Sequence, residues 1–167
     1  RRGVVLAAGG FPHDVVRRRQ LFAHAPTGHE HWSAAPLTNT GDGLRLGERV
    51  GARISVGANA GAWAPVSLVP RADGSVTAFP HLVERGKPGL IAVMRDGRRF
   101  VDEAGNYHSF MQALLAHVPA GEPVQAWLVC DHRFQRRFGL GHSKPWPLPL
   151  HGALQSGYLK RARTIEA

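Results

Sequence analysis

The sequence predicts an α/β segment over residues 1–60 followed by an α+β segment over residues 61–167. Three observations carry that expectation. A short apolar run, Val4-Val5-Leu6-Ala7-Ala8, is closed by Gly9-Gly10, the pattern of a buried strand in a parallel sheet. Thr40-Gly41-Asp42-Gly43 opens an amphipathic stretch, the pattern of a helix start. Beyond residue 65 the pattern changes to short apolar strands, the turn dipeptide Asp96-Gly97 and one strongly apolar helix.

In chain order, residues 3–8 are the expected strand, and residues 14–22 read as a helix with Asp14 at its start. Residues 23–40 hold Pro26, Gly28 and Pro36 among polar residues and read as loop. A helix is expected from Asp42, whose carboxylate favours a helix N-terminus, with Leu44, Leu46, Val50 and Ala52 as apolar positions and Gly51 near its end. Gly57, Gly61 and Pro65 break the chain around the domain boundary. Residues 89–94 form a strand, and residues 98–101 return as its hairpin partner. Residues 108–117 form a helix whose stripe is Phe110, Met111, Leu114, Leu115 and Val118, stopped by Pro119 and Gly121. A strand over 124–130, a short helix capped by Asp131, an extended stretch over 146–150 and a strand or turn over 157–160 follow. Thr164-Ile165-Glu166-Ala167 reads as the first turn of a helix. With a core strand at one end and a helix start at the other, the chain is expected to be truncated at both.

Composition narrows the function classes. With 43% hydrophobic and 20% charged residues the chain reads as a soluble globular protein, not a disordered one. No apolar run approaches the roughly 20 residues of a membrane span, and residues 4–8 are too short for a signal-peptide core of about 7–15 residues. The single cysteine, Cys130, excludes an internal disulfide and a multi-cysteine zinc site, and fits a reducing compartment such as the cytoplasm. The net charge of +9 raises the possibility of a basic binding module for nucleic acid or an acidic partner. The charge is dispersed over Arg17-Arg18-Arg19, Arg98-Arg99, Arg136-Arg137 and Lys160-Arg161, without base-stacking or zinc-finger motifs, so no nucleic-acid partner is expected. His24, His29 and His31 flank Glu30 in a loop, but no fourth ligand is evident and no metal is expected.

Three stretches carry a family resemblance: Gly3-Val4-Val5-Leu6-Ala7-Ala8-Gly9-Gly10-Phe11, then Asn39-Thr40-Gly41-Asp42-Gly43-Leu44, then Gly97-Arg98-Arg99-Phe100-Val101-Asp102-Glu103 with Tyr107. In this order they resemble FAD-dependent oxidoreductases of the fumarate reductase, succinate dehydrogenase and 3-ketosteroid dehydrogenase family, the FAD-binding type 2 flavoproteins. The resemblance implies that residues 1–60 are part of an FAD-binding domain and residues 61–167 a cap or substrate domain. It implies FAD contacts from Ala8, Gly9, Gly10, Thr40, Gly41, Asp42 and Gly43, with Ala8 standing where the family usually has threonine. The Gly-x-Gly-x-x-Gly fingerprint that holds a dinucleotide is missing, and Gly139-Leu140-Gly141-His142-Ser143-Lys144 lacks its third glycine. FAD is therefore expected in the whole protein and not in this segment by itself, with the remainder of the FAD-binding domain as a partner.

The resemblance also implies the chemistry. Tyr107 stands where fumarate reductases carry the arginine that delivers a proton, and ketosteroid dehydrogenases carry a tyrosine in this region, so Tyr107 is the candidate catalytic residue. Trp63, Arg85 and Glu103 are candidates for contacting substrate, although surface salt-bridging is the plainer role for Arg85. Trp63-Ala64-Pro65 replaces the histidine-proline of the dicarboxylate enzymes. A larger and more apolar site follows, suited to a bulky carbonyl compound such as a 3-ketosteroid. The implied reaction is removal or addition of hydrogen at a carbon–carbon bond next to a carbonyl. Fumarate/succinate-type dicarboxylate chemistry is the alternative within the family, and a non-enzymatic basic module the alternative outside it.

Overall fold

A computed structural model describes residues 3–55 and 64–164. Its central core forms where the apolar stripe of one helix meets a strand pair. The strand β3 (Leu90–Val93) pairs antiparallel with β4 (Trp127–Cys130), Leu90 opposite Cys130 and Val93 opposite Trp127. Between them in sequence runs α3 (Tyr107–His117), capped by Asn106, whose side chain accepts from the Ser109 N–H at 2.8 Å. Ala92, Phe110, Met111, Leu114 and Val124 are buried together, with Phe100, Leu115, Val118 and Leu128 packed against them. Complete burial of such aliphatic and aromatic side chains contributes about 1.5–3 kcal/mol each, which makes this cluster the anchor for the segment leading to Tyr107.

The expected hairpin over 89–101 is only begun. The turn forms, with Met94 N–H donating to Arg98 O at 2.9 Å, but pairing ends at one bridge between Val93 and Arg99. The reason is local: the Ala92 N–H, which a continued ladder would use, donates instead to the Glu103 carboxylate at 2.7 Å. β3 therefore finds its strand partner in β4.

A second hairpin, β1 (Val66–Pro70) with β2 (Val76–Pro80), pairs Val66 with Pro80 and Pro70 with Val76. Its turn is held by Asp73, whose carboxylate accepts from the Ser75 N–H and hydroxyl at 2.9 and 2.6 Å. A 3-10 turn, Glu84–Gly86, leads on to β3. Helix α4 (His132–Phe138) is capped by Asp131 as expected, and α5 (His151–Gln155) follows the turn at Trp146-Pro147. Residues 157–160 form a turn, and the expected helix start at 164–167 lies, beyond Thr164, outside the described residues.

The first segment contains α1 (Val15–Leu21), capped by Asp14, and α2 (Asp42–Arg49). The loop over 23–40 carries neither helix nor strand, as expected. The expected α/β character is not realised here among the described residues, because residues 3–8 form no strand and lie open, Val4 87% and Val5 90% exposed. A strand needs a hydrogen-bonding partner, and residues 3–8 have none among the described residues. Helix α2 buries no residue, and its Leu46 and the following Val50 are exposed. The architecture is thus a mixture of helices and small antiparallel sheets. Among the described residues, no helix is long and apolar enough to cross a membrane.

Candidate functional site

The chain brings the first two glycine motifs together. Gly41 N–H donates to Gly10 O at 3.1 Å, and His13 N–H donates to Asn39 O at 3.1 Å. A Cβ on Gly9 would lie 3.0 Å from Asn39 Oδ1, and one on Gly43 would lie 3.7 Å from the Ala8 Cβ. Gly41 is the N-cap of α2 at φ +85°, a left-handed conformation that side chains other than glycine's rarely adopt, and no side chain caps the helix. Its opening turn therefore offers backbone N–H groups beside a stretch of backbone stripped of side chains, the arrangement that suits the acceptor-rich parts of a nucleotide cofactor. The residues at 8–10 and 40–43 fit such a group.

The polar side chains of this cradle are organised by one arginine. Arg45 donates to Thr40 O at 2.5 Å and Thr40 Oγ1 at 3.0 Å, and pairs with Asp42. Asp42 thus holds the loop through Arg45. Arg17 of α1 fixes the other end of α2 through two bonds to Glu48 at 3.0 and 2.9 Å.

Behind the cradle lies a ring stack, Phe11 on Phe22 and Phe22 on His24, centroids 5.6 and 5.5 Å apart. The His24 and His31 rings meet at 3.1 Å between Nε2 and Nδ1. Burial, with Arg18 nearby, pushes the His31 imidazole down to about 3, so it is neutral at ordinary pH. Glu30 accepts from the Thr27 N–H and hydroxyl at one carboxylate oxygen, Oε1, at 2.8 and 2.7 Å. No group of residues suited to a metal occurs among the described residues.

The third motif is brought to a different place. Tyr107 is the first residue of α3 and is 43% exposed. The segment before it is clamped: Glu103 accepts from Ala92 N–H, from Arg99 Nε at 3.0 Å and from Arg99 Nη2 at 2.6 Å. Burial alone would raise the Glu103 carboxyl, but Arg99 and the Ala92 N–H outweigh it and hold it below the usual carboxylate range. Both Glu103 oxygens are thereby occupied by the protein itself.

Arg85 departs from its expected surface role. It is 2% exposed, donates to His81 O at 2.9 Å and Glu103 O at 3.0 Å, and lies over the Phe110 ring at 4.5 Å. The carbonyls and ring that hold it come from three places in the chain, which is why sequence spacing did not disclose its burial. Trp63 lies outside the described residues. The 139–144 stretch forms a tight turn after α4, Leu140 and Ser143 exchanging backbone hydrogen bonds, and not a strand-to-helix nucleotide loop.

A feature that sequence reasoning missed is a cavity of about 650 Å³ lined from β1, β4 and the turn at 157–160. Ser67 and Tyr158 meet across it with their hydroxyl oxygens 2.6 Å apart. Only the tertiary meeting of β1 with the turn at 157–160 reveals the place of Tyr158.

Comparison with known proteins places this geometry in a family. The model of the FAD binding domain family matches residues 1–161. The chain is 37% identical over 165 residues to a 4-oxocyclohex-2-ene-1-carboxylate 5-dehydrogenase of Sinomonas cyclohexanicum, covering 98% of this chain and 28% of that protein. It is 34% identical over 171 residues to a 3-oxosteroid 1-dehydrogenase of Mycobacterium tuberculosis, covering 99% of this chain and 29% of that one. Among solved structures it is similar to the 3-ketosteroid delta1-dehydrogenase of Sterolibacterium denitrificans, crystallised with 1,4-androstadiene-3,17-dione, at a TM-score of 0.65 and 35% identity over 89% of this chain and 26% of that one. The chain thus spans little more than a quarter of the length of these relatives. Its motifs, their meeting at the start of α2 and the match over residues 1–161 agree: the chain belongs to the FAD binding domain family.

Proposed function

We propose that this chain is a segment of an FAD-dependent dehydrogenase that removes hydrogen across a carbon–carbon bond next to the carbonyl of a cyclic ketone. The observation that carries the reading is the meeting of residues 8–10 with the uncapped start of α2 at Gly41. Residues 1–60 belong to the cofactor-binding domain and residues 61–167 to a cap that faces substrate. The exposed Val4 and Val5 form a docking edge for the parallel sheet of the remaining FAD-binding domain. When bound, FAD supplies the hydride acceptor. Tyr107 takes the proton from the carbon beside the carbonyl while its own hydroxyl proton passes to solvent from its half-exposed position. Glu103, held by Arg99 and Ala92 N–H, positions the segment from which Tyr107 projects. We place the protein in the cytoplasm, in keeping with a single cysteine.

The dicarboxylate alternative needs free cations to bind two carboxylates. Arg85, the arginine nearest that role by sequence, is spent on His81 O, Glu103 O and the Phe110 ring. This favours a cyclic ketone over the dicarboxylates fumarate and succinate. The test is anaerobic addition of a cyclic ketone to the flavin-loaded protein that carries this chain, followed by absorbance. Bleaching of the flavin band by a cyclohexanone carboxylate or a 3-ketosteroid, and none by succinate, is expected. Bleaching by succinate alone would reverse the assignment.

A further inference from the structure

We infer that Arg18 is a positioning residue that ties the cofactor cradle to the cap, holding the core beneath Tyr107 at a fixed place against the flavin. Arg18 lies in α1, is 5% exposed, and holds two carbonyls from separate parts of the chain. Its Nη1 donates to Pro12 O at 3.2 Å and its Nη2 to His31 O at 2.6 Å. Pro12 follows closely on the cradle glycines, where Gly10 O takes the Gly41 N–H. His31 belongs to the 23–40 loop, and the neighbouring carbonyl, Glu30 O, accepts from the Val124 N–H at 2.8 Å. Val124 is buried with Phe110, Met111 and Leu114 of α3. One buried guanidinium thus stands between the cradle on one side and the core of α3 on the other.

The loop between them is seated firmly enough to carry a position. Gly28 has φ +83°, and a Cβ there would lie 2.6 Å from Val15 O, so the loop backbone closes directly on α1. Arg19 donates to Pro26 O at 3.2 Å, and His13 Nε2 meets Ala35 O at 2.9 Å. On the far side a Cβ on Gly121 would lie 3.6 Å from Pro26 Cγ, a second contact beside the Val124 bond.

The choice of arginine says what the link is for. Burial pushes the Arg18 guanidinium down from its ordinary value, against the pull of the Glu30 carboxylate. An apolar side chain of similar volume would pack α1 against the loop without that desolvation cost. It would not bond two carbonyls at once in a fixed geometry, which the planar guanidinium fork does and a lysine ammonium, a point charge, does not. Arg18 is therefore spent on register, not on packing. Its consequence for turnover rests on the proposed dehydrogenase reading; the link between cradle and core does not.

The test uses the flavin-loaded protein that carries this chain, as Arg18→Met, which removes the charge at similar volume, and Arg18→Lys, which keeps the charge without the fork. Backbone hydrogen exchange is mapped by mass spectrometry. In Arg18→Met the Val124 amide should exchange about tenfold faster, while the Ala92 amide, in the same core but bonded to Glu103, should be unchanged. The rate at which a cyclic ketone bleaches the flavin, counted per bound flavin, should fall by about 10–100-fold, the scale of a small misplacement of the reacting groups. Arg18→Lys should fall in between. A Val124 amide that exchanges as in the wild type, or an Ala92 amide that accelerates equally, would overturn the link. So would a lower melting temperature with unchanged bleaching per bound flavin, since a merely structural arginine behaves that way. If Arg18→Met takes up no flavin, Arg18→Lys is read in the same two assays; loss of flavin in both would confine Arg18 to the cradle and overturn the link to the cap. If no cyclic ketone bleaches the wild type, the dehydrogenase reading fails, and the exchange of Val124 against Ala92 still decides the link.

Discussion

Replacing Glu103 by alanine separates a positioning role from a substrate-binding one. The carboxylate is buried, accepts from the Ala92 N–H inside the core strand, and takes two bonds from Arg99, whose side chain is 56% exposed. Truncation strands the Ala92 N–H in the core, which costs about 1–3 kcal/mol. The loss of the Arg99 pair adds little, because solvent screens the exposed guanidinium. The expected loss is therefore about 1–3 kcal/mol, read as a lower midpoint in urea unfolding at constant slope. Glu103→Gln keeps an acceptor for Ala92 N–H and should lose about 1 kcal/mol. Turnover in Glu103→Ala should fall with the disordering of the segment before Tyr107. A variant with unchanged urea midpoint and a selectively raised KM would refute the positioning role and return Glu103 to the substrate.

Acid should weaken the fold early. The His31 imidazole stands near 3 when folded, against an ordinary value of about 6.5, so the unfolded chain takes up a proton that the folded one refuses. That contribution is full above pH of about 6.5 and is lost as pH falls toward 3, with the depressed Glu30 and Glu103 carboxylates adding to the loss below about 4.5. Thermal midpoints should decline from pH 6.5 downward, and His31→Gln should flatten the decline between pH 6.5 and 5; an unchanged slope would contradict this. Duplex and single-stranded nucleic acids should not bind below micromolar concentration at about 0.15 M salt, since the +9 charge is dispersed and Arg17, Arg45 and Arg99 are paired with carboxylates. A sub-micromolar complex in a mobility-shift assay would revive the basic-module reading.

What the sequence discloses follows from where the governing interaction lies. Asp14, Gly41 and Asp131 mark helix starts because each acts within its own turn, and all three stand where the pattern placed them. The stripe of α3 was legible because Phe110, Met111 and Leu114 recur on one face. The strand expected over residues 3–8 was not realised, because its pattern describes a partner that the described residues do not contain. Residues 98–101 lost their ladder to a side chain, Glu103, that no strand pattern encodes. The β1–β2 hairpin was overlooked although Asp73-Gly74 between Val66–Pro70 and Val76–Pro80 is a turn signal of the same kind as Asp96-Gly97. The meeting of residues 8–10 with 40–43 follows from motif resemblance alone, since about thirty residues of loop and helix separate them. Arg85 and the Ser67–Tyr158 pair were beyond reach, because their partners are distant carbonyls and hydroxyls.

The most direct test of the proposed chemistry is Tyr107→Phe in the flavin-loaded protein that carries this chain, assayed on a cyclic ketone that the wild type dehydrogenates. The change removes one hydroxyl from a half-exposed side chain at the start of α3, so folding and flavin content should be unchanged. Turnover should fall by about 10²–10⁴, the scale for losing a positioned acid or base, while KM changes much less. Near-normal turnover with intact flavin would contradict the account and leave Tyr107 a packing residue.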